Sequence, residues 1–221
     1  MELYNERRLS EMRERLVRED ALYIVIKRLV DIFGALIGLI LAFPFMIIIA
    51  ICIKLEDPKG PIFFAQTRNG QHPNTFKMYK FRSMYVDAED RLADLIHLNE
   101  QNGPAFKIKD DPRVTRVGKV LRKTSLDEIP QLLNVLKGDM SLVGPRPALP
   151  REVEQYTEYQ MQRLFIKPGI TCIWQVSGRN SVDFDQWIEM DIEYIKKRNL
   201  IFDFKLILMT IPVLLGDKNA S

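Results

Sequence analysis

Residues 32–53 carry no charge, and on both sides of this run the chain mixes apolar positions with charged ones. At about 1.5 Å per residue the run makes a helix of about 33 Å, enough to cross a hydrocarbon core. Pro44, near its middle, cannot donate to the Ile40 carbonyl and its ring crowds that carbonyl, which predicts a bend or a break. Lys27 and Arg28 precede the run, and Lys54 and Lys59 follow it. If cations mark one side of a membrane, both ends belong on the same side. A helix that enters, breaks at Pro44 and returns meets that condition; a kinked helix that crosses is the alternative. The run starts too late, and has no small-x-small site after it, for a cleavable signal peptide.

Downstream the periods shorten. The Asp57-Pro58-Lys59-Gly60-Pro61 turn leads to two predicted strands, residues 62–67 and 75–84, joined by a loop holding Asn69-Gly70 and Pro73-Asn74. A period of two puts Phe76, Met78, Lys80 and Arg82 on one face of the second strand. Leu92, Leu95 and Ile96 give residues 87–99 a helical spacing. Residues 113–122 alternate cations with Val114, Val117 and Val120. Leu126, Ile129, Leu132, Leu133 and Leu136 predict a helix ending near Gly138, with Asp127 and Glu128 in its first turn. Residues 152–165 read as a helix closed by Pro168-Gly169, residues 170–176 as a short strand ending at Gly178-Arg179-Asn180, and Phe184, Trp187, Ile188, Ile192 and Ile195 as a further helix.

The organisation that follows is a polar extension (1–20), a membrane segment broken at Pro44 (21–56), a catalytic core (57–199) and an amphipathic tail lying in the interface (200–221). The fold class is helix-rich α+β. A core helix is the competing reading of the tail, which is apolar apart from Asp203, Lys205 and Thr210 and is interrupted by Pro212.

Composition narrows the function. With 32 Lys and Arg against 29 Asp and Glu, the net charge of +3 gives no ground for a nucleic-acid partner. Arg7, Arg8, Arg13, Arg15, Arg18, Lys27 and Arg28 precede the apolar run, which suits an anionic membrane face or a solvated helix surface. Cys52 and Cys172 have no metal-like spacing and little reason to pair, in keeping with a reducing compartment. His72 and His97 are the sole histidines, so a histidine-ligated metal or a Ser/His/Asp site has little to build on.

The chemistry concentrates at Asp127 and Glu128. Ser125-x-x-Glu128 matches a capping box, a purely structural use; Pro130 argues for a helix that begins later, at Asp127 or Glu128. An ionised aspartate beside a second acid can attack phosphorus, or hold Mg²⁺ that bridges a diphosphate. Attack by one anion on another needs nearby cations, for which Arg122, Arg146, Lys80 and Arg82 are the candidates. Arginine grips phosphate oxygens with its planar fork.

Taken in order, Lys27-Arg28-Leu29-Val30-Asp31, Pro44 in its apolar run, Tyr79-Lys80-Phe81-Arg82-Ser83-Met84, Leu121-Arg122-Lys123-Thr124-Ser125-Leu126-Asp127-Glu128, residues 134–147, Lys167-Pro168-Gly169-Ile170-Thr171 and residues 175–180 resemble the monotopic phosphoglycosyl transferases, the bacterial sugar transferases that begin polysaccharide assembly. The resemblance implies a UDP-sugar donor, attack by Asp127 on the β-phosphate with release of UMP, and uptake of the sugar phosphate by polyprenyl (undecaprenyl) phosphate. It implies Mg²⁺ held at Asp127 and Glu128, with Glu128 assisting at the metal or with protons. Phosphates would be bound by Lys80, Arg82, Arg122, Arg146 and Arg179. It also favours a re-entrant helix with Pro44 at the break, residence in the bacterial cytoplasmic membrane with the catalytic domain facing the cytosol, and contact with membrane lipids; a homodimer is compatible with this. Gly103-Pro104-Ala105-Phe106-Lys107 and Arg122-Lys123-Thr124-Ser125 look more like members using UDP-glucose or UDP-galactose. Phe43 stands where relatives often carry a serine. The competing functions are a catalytically silent scaffold of the same fold and a phosphatase acting on lipid diphosphates.

Overall fold

The computed structural model describes residues 2–17, 20–100, 102–106, 108, 110–177 and 182–214. Its first helix, α1 (Glu2–Leu16), is polar but docked: Leu9, Met12 and Leu16 pack in a cluster with Phe165, Ile166 and Ile195, and Arg8 pairs with Glu158 at 3.0 Å. Its apolar stripe is too short to build a domain and long enough to rest on one.

Asp20 then caps α2 (Ala21–Glu56), its side chain accepting from the amides of Leu22 and Tyr23. Helical bonding runs from Ala21 to Glu56 with Pro44 inside, so the expected interruption does not end the element. A proline removes one amide donor, and apolar flanks as long as these can continue the helix on either side of it. Among the described residues α2 is the one helix long and apolar enough to span or insert into a membrane. Both of its ends hold the same body. Near the start, Arg28 donates to the carbonyls of Val135 and Leu136 at 2.6 and 2.7 Å, and Asp31 accepts from Ser141 Oγ and the Leu142 amide. Near the end, Ile49 and Ile53 pack on Phe81 and Leu121, Lys54 donates to the Gly60 carbonyl, and Glu56 accepts from the amides of Arg116 and Val117. Between these anchors Ile40, Leu41, Phe43 and Phe45 are 59% to 71% exposed.

The hairpin pairs β1 (Phe63–Asn69) with β2 (Thr75–Phe81) antiparallel, Phe64 opposite Lys80 and Asn69 opposite Thr75. The helix predicted over residues 87–99 shrinks to α3 (Leu92–Leu95) and a 3-10 turn. Next come α4 (Arg116–Lys123), capped by Thr115, and α5 (Gln131–Lys137), which Gly138 terminates at φ 89°. A left-handed residue there lets the last amides close back on helix carbonyls, which is why glycine ends helices so often. The second sheet is small: β3 (Ser141–Val143) lies parallel to β4 (Gly169–Thr171). Ala35 of α2, Met78 of β2, Val135 of α5 and Met140 form the buried centre between these elements.

Two predicted elements change. Residues 152–165 divide into α6 (Pro150–Val153), α7 (Glu158–Met161) and a 3-10 turn, because Thr157 and Gln160 form a capping box that restarts the helix. The strand expected over 170–176 stops at Thr171 and becomes α8 (Ile173–Ser177). There Trp174 stacks on Trp187 at 4.5 Å, a tertiary contact that outweighs a five-residue alternation. Trp187 belongs to α9 (Phe184–Lys197), which has the predicted helical spacing. The tail is α10 (Leu200–Leu214). Asp203 and Leu206 face the body while Ile201, Phe204, Leu208 and Ile211 are exposed, a helical spacing that leaves an apolar face uncovered. Asp203 is no solvated charge: it accepts from Tyr23, Lys27 and Tyr194, tying α2, α9 and α10 together. Both cysteines are free.

Candidate active site

Three segments meet around the acidic pair. β2 brings Lys80 to the end of the hairpin, on the same face as the buried Met78. α4 brings Arg122, whose Nε donates to Ser83 Oγ at 3.0 Å. The loop after β3 brings Arg146. The close approach of that loop to β4 needs glycines: a Cβ on Gly169 would lie 2.0 Å from the Gly144 amide nitrogen.

After α4 the chain turns at Ser125, in the left-handed region at φ 55°, into a 3-10 turn, Leu126–Glu128, and Pro130 stands immediately before α5. The acidic pair therefore sits on a separate turn ahead of the helix, not in its first turn. Pro130 explains the division, since further along a continuous helix its ring would crowd the Leu126 carbonyl and its missing amide would leave that carbonyl unbonded. The capping box is not formed either: Ser125 makes no side-chain cap bond, and the Glu128 carboxylate turns to two cations.

The two acids have different surroundings. Glu128 Oε1 accepts from Lys80 Nζ at 2.8 Å and from Arg146 Nη1 at 3.2 Å. Burial alone would raise its pKa, but those two charges outweigh it and hold Glu128 well below the usual carboxylate range. Asp127 is 6% exposed, and among the described residues its carboxylate accepts no hydrogen bond. Its recorded partner is Lys80, at 3.8 Å. Burial pushes its pKa up, Lys80 pulls it down, Glu128 opposes ionisation, and Arg122 and Arg146 favour it. The result is one acid fixed as a counterion by two hydrogen-bonded cations and one that, among the described residues, faces its cations without a hydrogen bond. Two adjacent carboxylates fit Mg²⁺, which takes one or two from the protein and completes its shell with phosphate oxygens and water. Among the described residues no group of three or more His, Cys, Asp or Glu forms an all-protein cage.

Of the residues named from sequence, Lys80, Arg122, Arg146, Asp127 and Glu128 come together. Arg82 does not join them. It follows the last residue of β2, and its guanidinium bonds the side chain and carbonyl of Asp57, over Gly60. A period of two extrapolated past Phe81 fails because the strand has ended. Arg179 and Lys107 lie outside the described residues, as does Arg18. Sequence reading passed over Asn134. Wholly buried, it accepts from the Tyr79 amide at 3.0 Å and donates to the Lys77 carbonyl at 2.7 Å, bonding α5 to the β2 backbone just before Lys80. A polar residue between Leu133 and Val135 was the available signal. Arg68, on β1, was passed over as well; its charge acts on Arg146 and Glu128.

The bacterial sugar transferase family model matches residues 22–217. The chain is 47% identical over 200 residues to the galactosyl transferase CpsE of Streptococcus agalactiae, covering 90% of this chain and 44% of that protein. It is 44% identical over 200 residues to the undecaprenyl-phosphate galactose phosphotransferase of Salmonella typhimurium, covering 88% and 41%. The exopolysaccharide production protein ExoY of Rhizobium meliloti is 38% identical over 190 residues, 84% of each chain. The chain thus spans less than half the length of the first two relatives.

Proposed function

The chain belongs to the bacterial sugar transferase family, and we propose that it transfers a sugar 1-phosphate from a UDP-sugar to polyprenyl phosphate through a covalent intermediate on Asp127. The observation that carries this reading is the contrast at the acidic pair: Glu128 is committed to Lys80 and Arg146, while Asp127, beside them, has no hydrogen bond to hold it among the described residues.

An Asp127 carboxylate oxygen attacks the β-phosphorus of the donor. The bond from that phosphorus to the bridging oxygen breaks, the electron pair leaves with UMP, and the sugar phosphate remains on Asp127 as an acyl phosphate. An oxygen of polyprenyl phosphate then attacks the same phosphorus and frees the carboxylate. Lys80, Arg122 and Arg146 offset the repulsion between carboxylate and phosphate and the charge that develops in transfer. Glu128 keeps Lys80 and Arg146 in place. Mg²⁺, held by Asp127 and Glu128 with substrate phosphates, would supply further positive charge to the diphosphate. Of the two expected donors, UDP-glucose and UDP-galactose, galactose in the name of the Salmonella relative and galactosyl in that of CpsE favour UDP-galactose.

The acceptor reading draws on the apolar surfaces. Arg28 and Glu56, at opposite ends of α2, both bond one body, and the exposed Ile40 to Phe45 stretch lies between them. A helix that crossed the bilayer would put those ends on opposite faces, whereas one that bends at Pro44 with its helical bonding kept, dips in and returns holds them on one face. With the outward face of α10, this favours a re-entrant α2 and an interfacial tail, and the cations at both flanks, Lys27, Arg28, Lys54 and Lys59, favour the cytosolic side of the cytoplasmic membrane. A groove of about 370 Å³ lined by Ile47, Ala50, Ile51, Lys54, Leu55 and Ile62 offers apolar surface to an isoprenoid chain beside a cation.

Incubation with UDP-galactose and Mg²⁺ but no lipid should give up to one UMP per active enzyme and a hexose phosphate adduct on Asp127 by intact mass. Asp127→Asn should give neither while unfolding at the wild-type temperature. Full turnover with lipid and no adduct at any time would refute the covalent route.

A further inference from the structure

The backbone that carries Arg146 is held by two other arginines. Arg163 Nη2 donates to the Arg146 carbonyl at 3.1 Å, and Arg68 Nη1 donates to the next carbonyl, that of Pro147, at 3.2 Å. Their countercharges differ. Arg163 lies 2.6 Å from Asp191, both deeply buried, so its charge is matched. Arg68 has no carboxylate within ion-pair distance among the described residues. Its Nη2 donates to the neutral amide oxygen of Gln66 at 2.8 Å, and its buried Nε has no partner among the described residues.

The nearby charges do not supply the deficit. Arg146 repels Arg68, and the acids that favour its charge, Glu152 and Glu128, act from beyond ion-pair distance, Glu128 being engaged by Lys80 and Arg146. Burial, followed by the Arg146 charge, pushes the Arg68 pKa down to about 10, so it stays charged at neutral pH with no carboxylate at ion-pair distance among the described residues. A buried cation left unmatched beside a second cation is unfavourable in the empty protein and becomes favourable when an anion arrives. Lys80, Arg68, Arg122 and Arg146 outnumber Asp127 and Glu128 by two charges when both acids are ionised. A substituted diphosphate carries one negative charge on each of its phosphates.

We propose that Arg68 is a fourth phosphate-binding cation of the donor site, acting with Arg146 on the diphosphate; this rests on the reading that the donor is a nucleoside diphosphate sugar. The test measures binding of inorganic pyrophosphate and of UDP to the full chain in detergent, by calorimetry in Mg²⁺ buffer at two salt concentrations. Arg68→Gln keeps an N–H for the Pro147 carbonyl and removes the charge; Arg68→Lys keeps the charge. The expected result is about tenfold weaker binding of both anions by Arg68→Gln, recovery of most of it in Arg68→Lys, and a shallower salt dependence in Arg68→Gln alone. Equal affinity of wild type and Arg68→Gln would overturn the proposal. So would equal losses in both variants together with a lowered unfolding temperature, which would make Arg68 a structural strut, or failure of the wild type to bind either anion. If pyrophosphate binding responds as expected but no UDP-sugar yields UMP, Arg68 stands as an anion site and the sugar-transfer reading falls.

Discussion

Replacing Lys80 by methionine removes one charge and keeps most of the stem. The ammonium lies 3.8 Å from Asp127 Oδ2 and 2.8 Å from Glu128 Oε1. At an effective dielectric of about 20, a charge pair 3.8 Å apart is worth about 4 kcal/mol. Lys80 keeps some contact with water, which reduces this to a working figure of about 2 kcal/mol. Burial already raises the Asp127 pKa against the pull of Lys80, and the Glu128 charge acts in the same direction as burial. Removing Lys80 takes away the largest influence that opposes them, and the pKa rises further. The ionised carboxylate is the attacking form, so activity is lost as pH falls through the Asp127 pKa, and a higher pKa moves that loss to higher pH. The acid limb of single-turnover UMP release should therefore shift upward by about one to two pH units, with recovery in alkali. Arg146 remains on Glu128, so the unfolding temperature should change little. UMP release and adduct mass, followed from about pH 5 to 9, make the measurement. A limb that stays in place, or moves to lower pH, refutes the electrostatic coupling of Lys80 to Asp127.

Two other substitutions probe the frame that positions the site. Asn134→Leu strands the Tyr79 amide and the Lys77 carbonyl and should lower stability by about 3 kcal/mol in denaturant unfolding; a change below about 1 kcal/mol would show that the pin between α5 and β2 carries no weight. Gly118→Ala places a Cβ 1.9 Å from the Ser83 carbonyl oxygen, a backbone atom that cannot swing aside. The displaced α4 should take about 2 to 4 kcal/mol from stability and slow UMP release by moving Arg122; wild-type values for both would refute the close contact.

Short-range pattern was enough for much of this protein. The apolar run, the hairpin with Lys80 near its end, the stop at Gly138 and the spacing of Phe184 to Ile195 each follow from interactions a few residues apart, which the sequence presents directly. Where two local solutions competed, sequence could not choose. Ser125 and Glu128 had the spacing of a capping box, but Lys80 and Arg146 gave the Glu128 carboxylate two charged donors where Ser125 could offer one amide. Arg82 shared the predicted face of Lys80 until the strand ended one residue earlier and Asp57 took it. Arg68 lay one residue past the predicted strand of residues 62–67 and drew no reading, because nothing beside it in the chain says how its charge is balanced.

The order of residues alone settled that one segment is too apolar and too long for an ordinary surface helix, and that two adjacent acids follow a run of cations. It also determined that proline and glycine punctuate those elements, since each of these properties is written within a turn or a strand pair. Packing decided the rest. Lys80 and Glu128 lie 48 positions apart, and they meet where Asn134 bonds α5 to the β2 backbone and Met78 packs on Val135. Likewise both ends of α2 meet one body through Arg28 and Glu56, contacts that span 107 and 60 positions. Which charge is matched, and which is left free, depends on distances that no periodicity encodes.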